Sequence, residues 1–215
     1  MTGLSVAAAI AAADAGPVLT GEIFPLSGVG KVRVTYNWLY SALNCDPGDQ
    51  SGFGWVFQKM PGGAVSLSPE AAYAGMTLFA SVRPDNYCFV QVQAPFSADW
   101  ITQAQGNEEM TMTDLGLLTV ELQGVNGSYL GANDSQTSYN DSSGNPHSGY
   151  LIQSNVGTPD PSSKFFVAVQ QNLQAGAQAP LFSSLSPAEV SAELERQGVG
   201  DPQTLAEVIF AATGR

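Results

Sequence analysis

His147 is the single histidine of the chain, and it sits in the polar stretch "SSGNPHSGY" from Ser142 to Tyr150. An imidazole works as a general base only when a nucleophile is presented to it, and nothing resembling Gly-x-Ser-x-Gly occurs. Cys45 and Cys88 are the two cysteines; with one histidine they are too few for a structural zinc site. Whether they pair depends on their Cα atoms approaching within about 7 Å, which spacing alone leaves open. There is no phosphate-cradling glycine loop, no His-Glu-x-x-His and no dinucleotide fingerprint. The adjacent acids Glu108 and Glu109 read as solvent-facing turn residues. Catalysis, a metal and a cofactor are therefore not expected.

What remains is the chemistry of stacking and hydrogen bonding. Between Asn133 and Gly149 the chain runs "NDSQTSYNDSSGNPHSG", which reads as a long polar loop. Long loops on rigid scaffolds are a usual place for recognition. Tyr139 offers an aromatic face, and Asp141, Asn145 and His147 offer hydrogen bonds, a set that suits an uncharged, polyhydroxylated ligand. A second candidate surface is "TYNWLY" beside "NCDPGDQ", where Trp38 would stack and Asp46 would bond.

These residues need elements to hold them. With 215 residues, 44% of them hydrophobic, the chain can bury a full core. Only 12% of residues are charged, a balance that suits turn-rich β proteins. Seven Lys and Arg against nineteen Asp and Glu give a net charge of -12. That charge repels phosphate backbones, so nucleic acid is excluded as a partner. No stretch approaches the roughly 18 uninterrupted apolar residues of a membrane helix, so no membrane span is expected.

Three short stretches share a pattern: "WVFQ" (Trp55 to Gln58), "WITQ" (Trp100 to Gln103) and "YLIQ" (Tyr150 to Gln153). Each follows an Asn with an aromatic three residues on, at Asn37 to Tyr40, Asn86 to Phe89 and Asn126 to Tyr129. Alternating apolar segments precede these at Val32 to Val34, Met76 to Leu78 and Val120 to Leu122. Further strands follow at Ala64 to Leu67, Met110 to Thr113 and Phe165 to Val169. Period-two alternation puts one face of each strand inward, so the recurring aromatics are core candidates and the recurring Gln a bond to a neighbouring strand. Asn126-Gly127 suits a type I′ hairpin turn.

Twelve short strands in three units resemble the β-trefoil, in which six strands close a barrel and six form a cap of hairpins. "VELQGVNGSYLGAND" (Val120 to Asp134) is similar to repeats of fascin-like and other lectin-type trefoils. The Gln-x-Trp signature of the ricin-type lectins is absent, because here the aromatic precedes Gln, so that family's sugar-contacting residues are not carried over. The resemblance implies an all-β fold: a β-trefoil of three four-stranded repeats over residues 30–170. Flanking it are an Ala-rich N-terminal arm (1–29), a linker (171–185) and a C-terminal helical hairpin (186–215). Ser186, Pro187 and Glu189 spell a capped helix start, and Asp201 with Pro202 spell another. Val190 and Leu194 form one apolar stripe, and Leu205, Val208, Ile209 and Ala212 another. The hairpin is expected to dock on its own chain.

The resemblance also implies function. A non-enzymatic, lectin-like protein would bind a glycan or glycoprotein through loops of the trefoil. The alternative is a protein-interaction or toxin component whose apolar terminal segments engage a partner. A trefoil protease inhibitor would need an exposed reactive loop, and none is identifiable.

Overall fold

A computed structural model of the chain describes residues 5–34, 41–44, 54–70, 76–80, 88–92, 108–124, 127–140 and 144–214. The first unit of chain holds helix α1 (Val6–Ala12) and strands β1 (Gly16–Pro25), β2 (Lys31–Val34), β3 (Ser41–Asn44) and β4 (Trp55–Lys59). Then come β5 (Val65–Pro69), β6 (Met76–Ala80), β7 (Cys88–Val92), β8 (Met110–Gly116) and β9 (Thr119–Gly124). The long strands β10 (Tyr129–Asn140), β11 (Pro146–Val156) and β12 (Lys164–Asn172) follow. Helices α2 (Pro187–Arg196) and α3 (Pro202–Ala212) end the described chain.

Hydrogen-bonded neighbours run β12, β1, β4, β5, β8, β9, and β9 pairs again with β12, so these six strands close a barrel. Closure leaves the barrel no free edge. The remaining strands pair as β2 with β3, β6 with β7 and β10 with β11. A closed six-stranded barrel carrying two-stranded hairpins is a trefoil-like, mostly β fold, in keeping with the fold class expected from sequence.

The inner face of the barrel is packed rather than hollow. Ile23, Trp55, Leu67, Leu122 and Phe165 meet around a void of only about 10 Å³. Trp55 is fully buried, and its indole N–H donates to the Val32 carbonyl at 3.0 Å, which satisfies the one polar group that its burial would strand. The amide of Gln58 donates to Ser68 Oγ at 3.0 Å across β4 and β5, the cross-strand bond expected of that Gln.

Several expectations change. Gly16–Pro25, assigned to the N-terminal arm, is β1, a barrel strand between β4 and β12. It escaped recognition because Val18 to Pro25 are buried on both faces, so the sequence carries no alternation to read. α1 stands outside the barrel sheet but is packed into the fold, with Val6, Ala9 and Ile10 buried. Ser5 caps it by accepting from the Ala8 N–H at 3.1 Å and donates to Asp114 at 2.6 Å, while Lys59 donates to the carbonyls of Ala11 and Ala13 at its other end. The recurring tetrapeptides are not equivalent: "WVFQ" lies in β4 of the barrel and "YLIQ" in β11 of a hairpin. "WITQ" lies outside the described residues. Alternation specifies a buried face, and both kinds of strand have one.

The C-terminal segment packs on the barrel. Ser186 and Glu189 form the expected capping box, and Asp201 accepts from the Thr204 N–H at 3.1 Å to cap α3. Val190, Leu194, Leu205 and Ile209 are buried, together with Ala206 and Phe210. Val208, expected in the stripe, is 40% exposed instead. The contact stripe of α3 follows residues 205, 206, 209 and 210, which leaves 208 at its rim. Phe182 bridges the layers: its ring centroid is 6.0 Å from Phe166 of β12 and 4.6 Å from Phe210. The linker lies across the body, with Asn172 exchanging hydrogen bonds with the Ala179 backbone at 3.0 and 3.2 Å.

Candidate functional site

The stretch from Asn133 to Gly149, expected as a loop, is mostly strand. β10 and β11 continue past the barrel as a two-stranded ribbon. Its register sets Gln136 opposite Tyr150, Thr137 opposite Gly149, Ser138 opposite Ser148, Tyr139 opposite His147 and Asn140 opposite Pro146. A register shift between Ala132 and Gln136 marks where the ribbon leaves the barrel, and there Asn133 accepts the Ser135 N–H at 3.1 Å. That side-chain turn absorbs the extra residues of a bulge.

The ribbon brings together two of the six sequence candidates, since Tyr139 and His147 are direct cross-strand partners. Asn145 is exposed in the turn between the strands, next to Gly144, whose φ of +85° requires glycine. Asp141, Trp38 and Asp46 lie outside the described residues, as does Cys45. β3 pairs with β11 through Asn44 opposite Gly149. Thr137 and Gly149 form the next row of the Tyr139 face, and Gly149 is buried between β10 and β3. Sequence reading passed over these two because a stretch read as loop has no rows.

Among the described residues, no cation lies on the ribbon itself. Lys31 is buried, with its Nζ 3.4 Å from Glu22 of β1 and 3.5 Å from the Ala212 carbonyl at the end of α3. Lys59 is held by the end of α1, Lys164 donates to the Gln197 carbonyl at 3.4 Å, and Arg196 pairs with Glu193. Arg33 is buried in β2. No Lys or Arg occurs anywhere between Asn133 and Gly149.

Sequence reading also missed a seam of buried acids between barrel and helices. Glu193 of α2 accepts from Thr119 of β9 and from Gln197 at 2.9 Å, and Gln197 also donates to the Leu115 carbonyl at 2.8 Å. Gly116 lies beneath this contact, where a Cβ would collide with Glu193 and Arg196. Glu22 and Glu121 are buried on the barrel wall, and burial pushes both carboxyls above their ordinary range. Lys31 opposes the shift at Glu22, and Lys164 opposes it at Glu121. No local pattern marks these acids, and their burial shows only in the packed fold.

No protein-family model matches the chain, and no curated protein sequence matches it. Among solved structures, the designed three-fold symmetric protein ThreeFoil is similar at 14% identity with a TM-score of 0.47, over 69% of this chain and 96% of that one. Cry35Ab1 is similar at 14% identity with a TM-score of 0.49, over 76% of this chain and 38% of that one. The chain thus spans well under half of Cry35Ab1. The trefoil-like fold rests on the strand pairing described above.

Proposed function

We propose that the protein is a non-enzymatic, lectin-like carbohydrate-binding protein that holds its ligand on the β10–β11 ribbon. The observation that supports this reading is the register that sets Tyr139 directly opposite His147, one row from Gly149. Directly opposed residues of an antiparallel pair share a face. The register thus puts an aromatic and an imidazole position on one face, with Gly149, which has no side chain, in the next row. A sugar ring stacks on such an aromatic while its hydroxyls bond to imidazole, amide and carboxylate groups. Asn145 in the turn and Asp141 beyond β10 extend the same set, and Trp38 with Asp46 would form a second platform.

The ligand class is a neutral glycan. A sialylated or sulfated chain needs a cation, and the ribbon sequence holds none, within a chain of net charge -12. The competing reading, in which the terminal apolar segments engage a partner, has less support. Val6, Ile10, Val190, Leu194 and Ile209 are all buried within the fold itself.

The test is a glycan array probed with the intact protein and with Tyr139→Ala. Selective binding to neutral glycans that the variant loses, with its melting temperature unchanged, supports the proposal. A blank array refutes it, and binding that survives in the variant moves the site away from the ribbon.

A further inference from the structure

At its base β10 is engaged on both sides: Tyr129 pairs with Gln123 of β9, and the Ala132 N–H donates to the Ser162 carbonyl at 3.0 Å. Farther out, from Gln136 to Asn140, its strand partner among the described residues is β11. Alternate residues of the outer edge therefore present backbone N–H and C=O groups that another strand can use. Edges of this kind are commonly blunted by Lys or Pro, and residues 133–140 contain neither. Ser135, Gln136 and Ser138 are exposed along it.

The edge is self-complementary. Read from either end, "DSQTSYN" (Asp134 to Asn140) runs acid or amide, hydroxyl, uncharged polar residue, with Thr137 at its centre. Laid antiparallel on a second copy about Thr137, it sets Gln136 opposite Ser138, Ser135 opposite Tyr139 and Asp134 opposite Asn140. Each acid then meets an amide, which avoids the penalty of like charges directly opposite. Two chains of net charge -12 repel each other, so they meet best along an uncharged stretch, and Ser135 to Asn140 is one. A twofold interface requires this kind of self-matching surface.

We propose that β10 pairs antiparallel with β10 of a second copy of this chain about a twofold axis at Thr137, joining two ribbons into one four-stranded sheet. Directly opposed residues share a face, and so do residues two apart, so the pairing builds one symmetric surface. Its middle row is Gly149, Thr137, and Thr137 and Gly149 of the partner subunit, and on each side lies a row holding Tyr139 and His147. Strands rise about 3.4 Å per residue, so the two Tyr139 positions, four residues apart along the sheet, stand roughly 14 Å from each other. On the reading of the ribbon as the glycan site, on which this consequence rests, a linear glycan that reaches both rows is held at two points. One strand a side makes a small interface, so the dimer is weak and reversible.

The test is sedimentation velocity on the intact chain without sugar, from about 10 μM to 1 mM, the range in which a small interface should populate a dimer. The expected result is a reversible shift from monomer to dimer, strengthened by salt because screening relieves the repulsion of two acidic chains. Gln136→Lys with Ser138→Lys sets like charges opposite each other at exposed positions, and should leave a monomer with an unchanged melting temperature. Gln136→Glu with Ser138→Glu should do the same, and mixing the two variants should restore a dimer with one copy of each. A parent chain that stays monomeric throughout would overturn the proposal. So would a Lys variant that dimerises like the parent, a mixture that does not associate, or a dimer that salt dissolves. The readout needs no sugar, so a monomer with a positive glycan array removes the dimer and spares the binding site, and a dimer with a blank array does the reverse.

Discussion

At the scale of single residues, the most exacting contact is the buried pair of Glu22 and Lys31. Removing one partner of a buried ion pair leaves the other charge unpaired and costs about 3–5 kcal/mol, whereas replacing both with apolar groups is often neutral or stabilising. Lys31→Met alone should therefore destabilise strongly in urea unfolding, and Glu22→Leu combined with Lys31→Met should recover most of the loss. A double variant as unstable as the single one would contradict this. The pH dependence follows from the same burial. Glu22 and Glu121 have folded values raised above 4.5, so the penalty for burying their charge is present at neutral pH. It is relieved as pH falls through the raised values toward 4.5. Glu189 has the opposite sign: the Ser186 backbone and hydroxyl lower its value, so its contribution is present above 4.5 and lost below. Melting temperature should rise from neutral pH into the mildly acidic range, and Glu121→Gln should rise less than the parent. An identical rise would remove Glu121 from the seam. Trp55 was legible as a core residue because its neighbours alternate; Glu22 was not, because both faces of β1 are covered.

At the scale of elements, the helices were the most legible parts, since Ser186, Pro187 and Glu189 act locally and need no partner strand. Ser186→Ala should cost about 1 kcal/mol, read as a lower urea midpoint with an unchanged slope. Where α2 and α3 dock was less legible, because the stripe on α3 leans toward Ala206 and Phe210 and away from Val208. Each large side chain buried there contributes about 1.5–3 kcal/mol. Removing residues 186–215 would strip Phe210 from Phe182, whose ring rests on Phe166 of the barrel wall, so the truncated chain should lose its cooperative thermal transition. A truncated chain that melts as the parent does would show that the helices are an independent module. The ribbon was the least legible element. Its Asn, Asp and Ser residues have low strand propensity, and pairing between β10 and β11 overrides that preference.

At the scale of the whole molecule, the barrel is closed by β9 pairing with β12, bonded to the start of α1 through Ser5 and Asp114, to α2 through Thr119 and Glu193, and linked to α3 through the Phe166–Phe182–Phe210 contacts. This gives the ribbon a rigid base, and a binding surface on a rigid base loses little entropy when it is occupied. Closure itself could be foreseen from the number and spacing of short strands. Which strands close the barrel could not, because β1 carries no alternation and the recurring Gln motifs mark strands of two kinds. The decisive measurement is backbone amide shift mapping of the intact protein with a neutral disaccharide chosen from the array. Saturable shifts concentrated at 136–140 and 144–149, absent in Tyr139→Ala, are the predicted result. Shifts elsewhere on the barrel, or none at saturating sugar, would contradict carbohydrate binding by the ribbon.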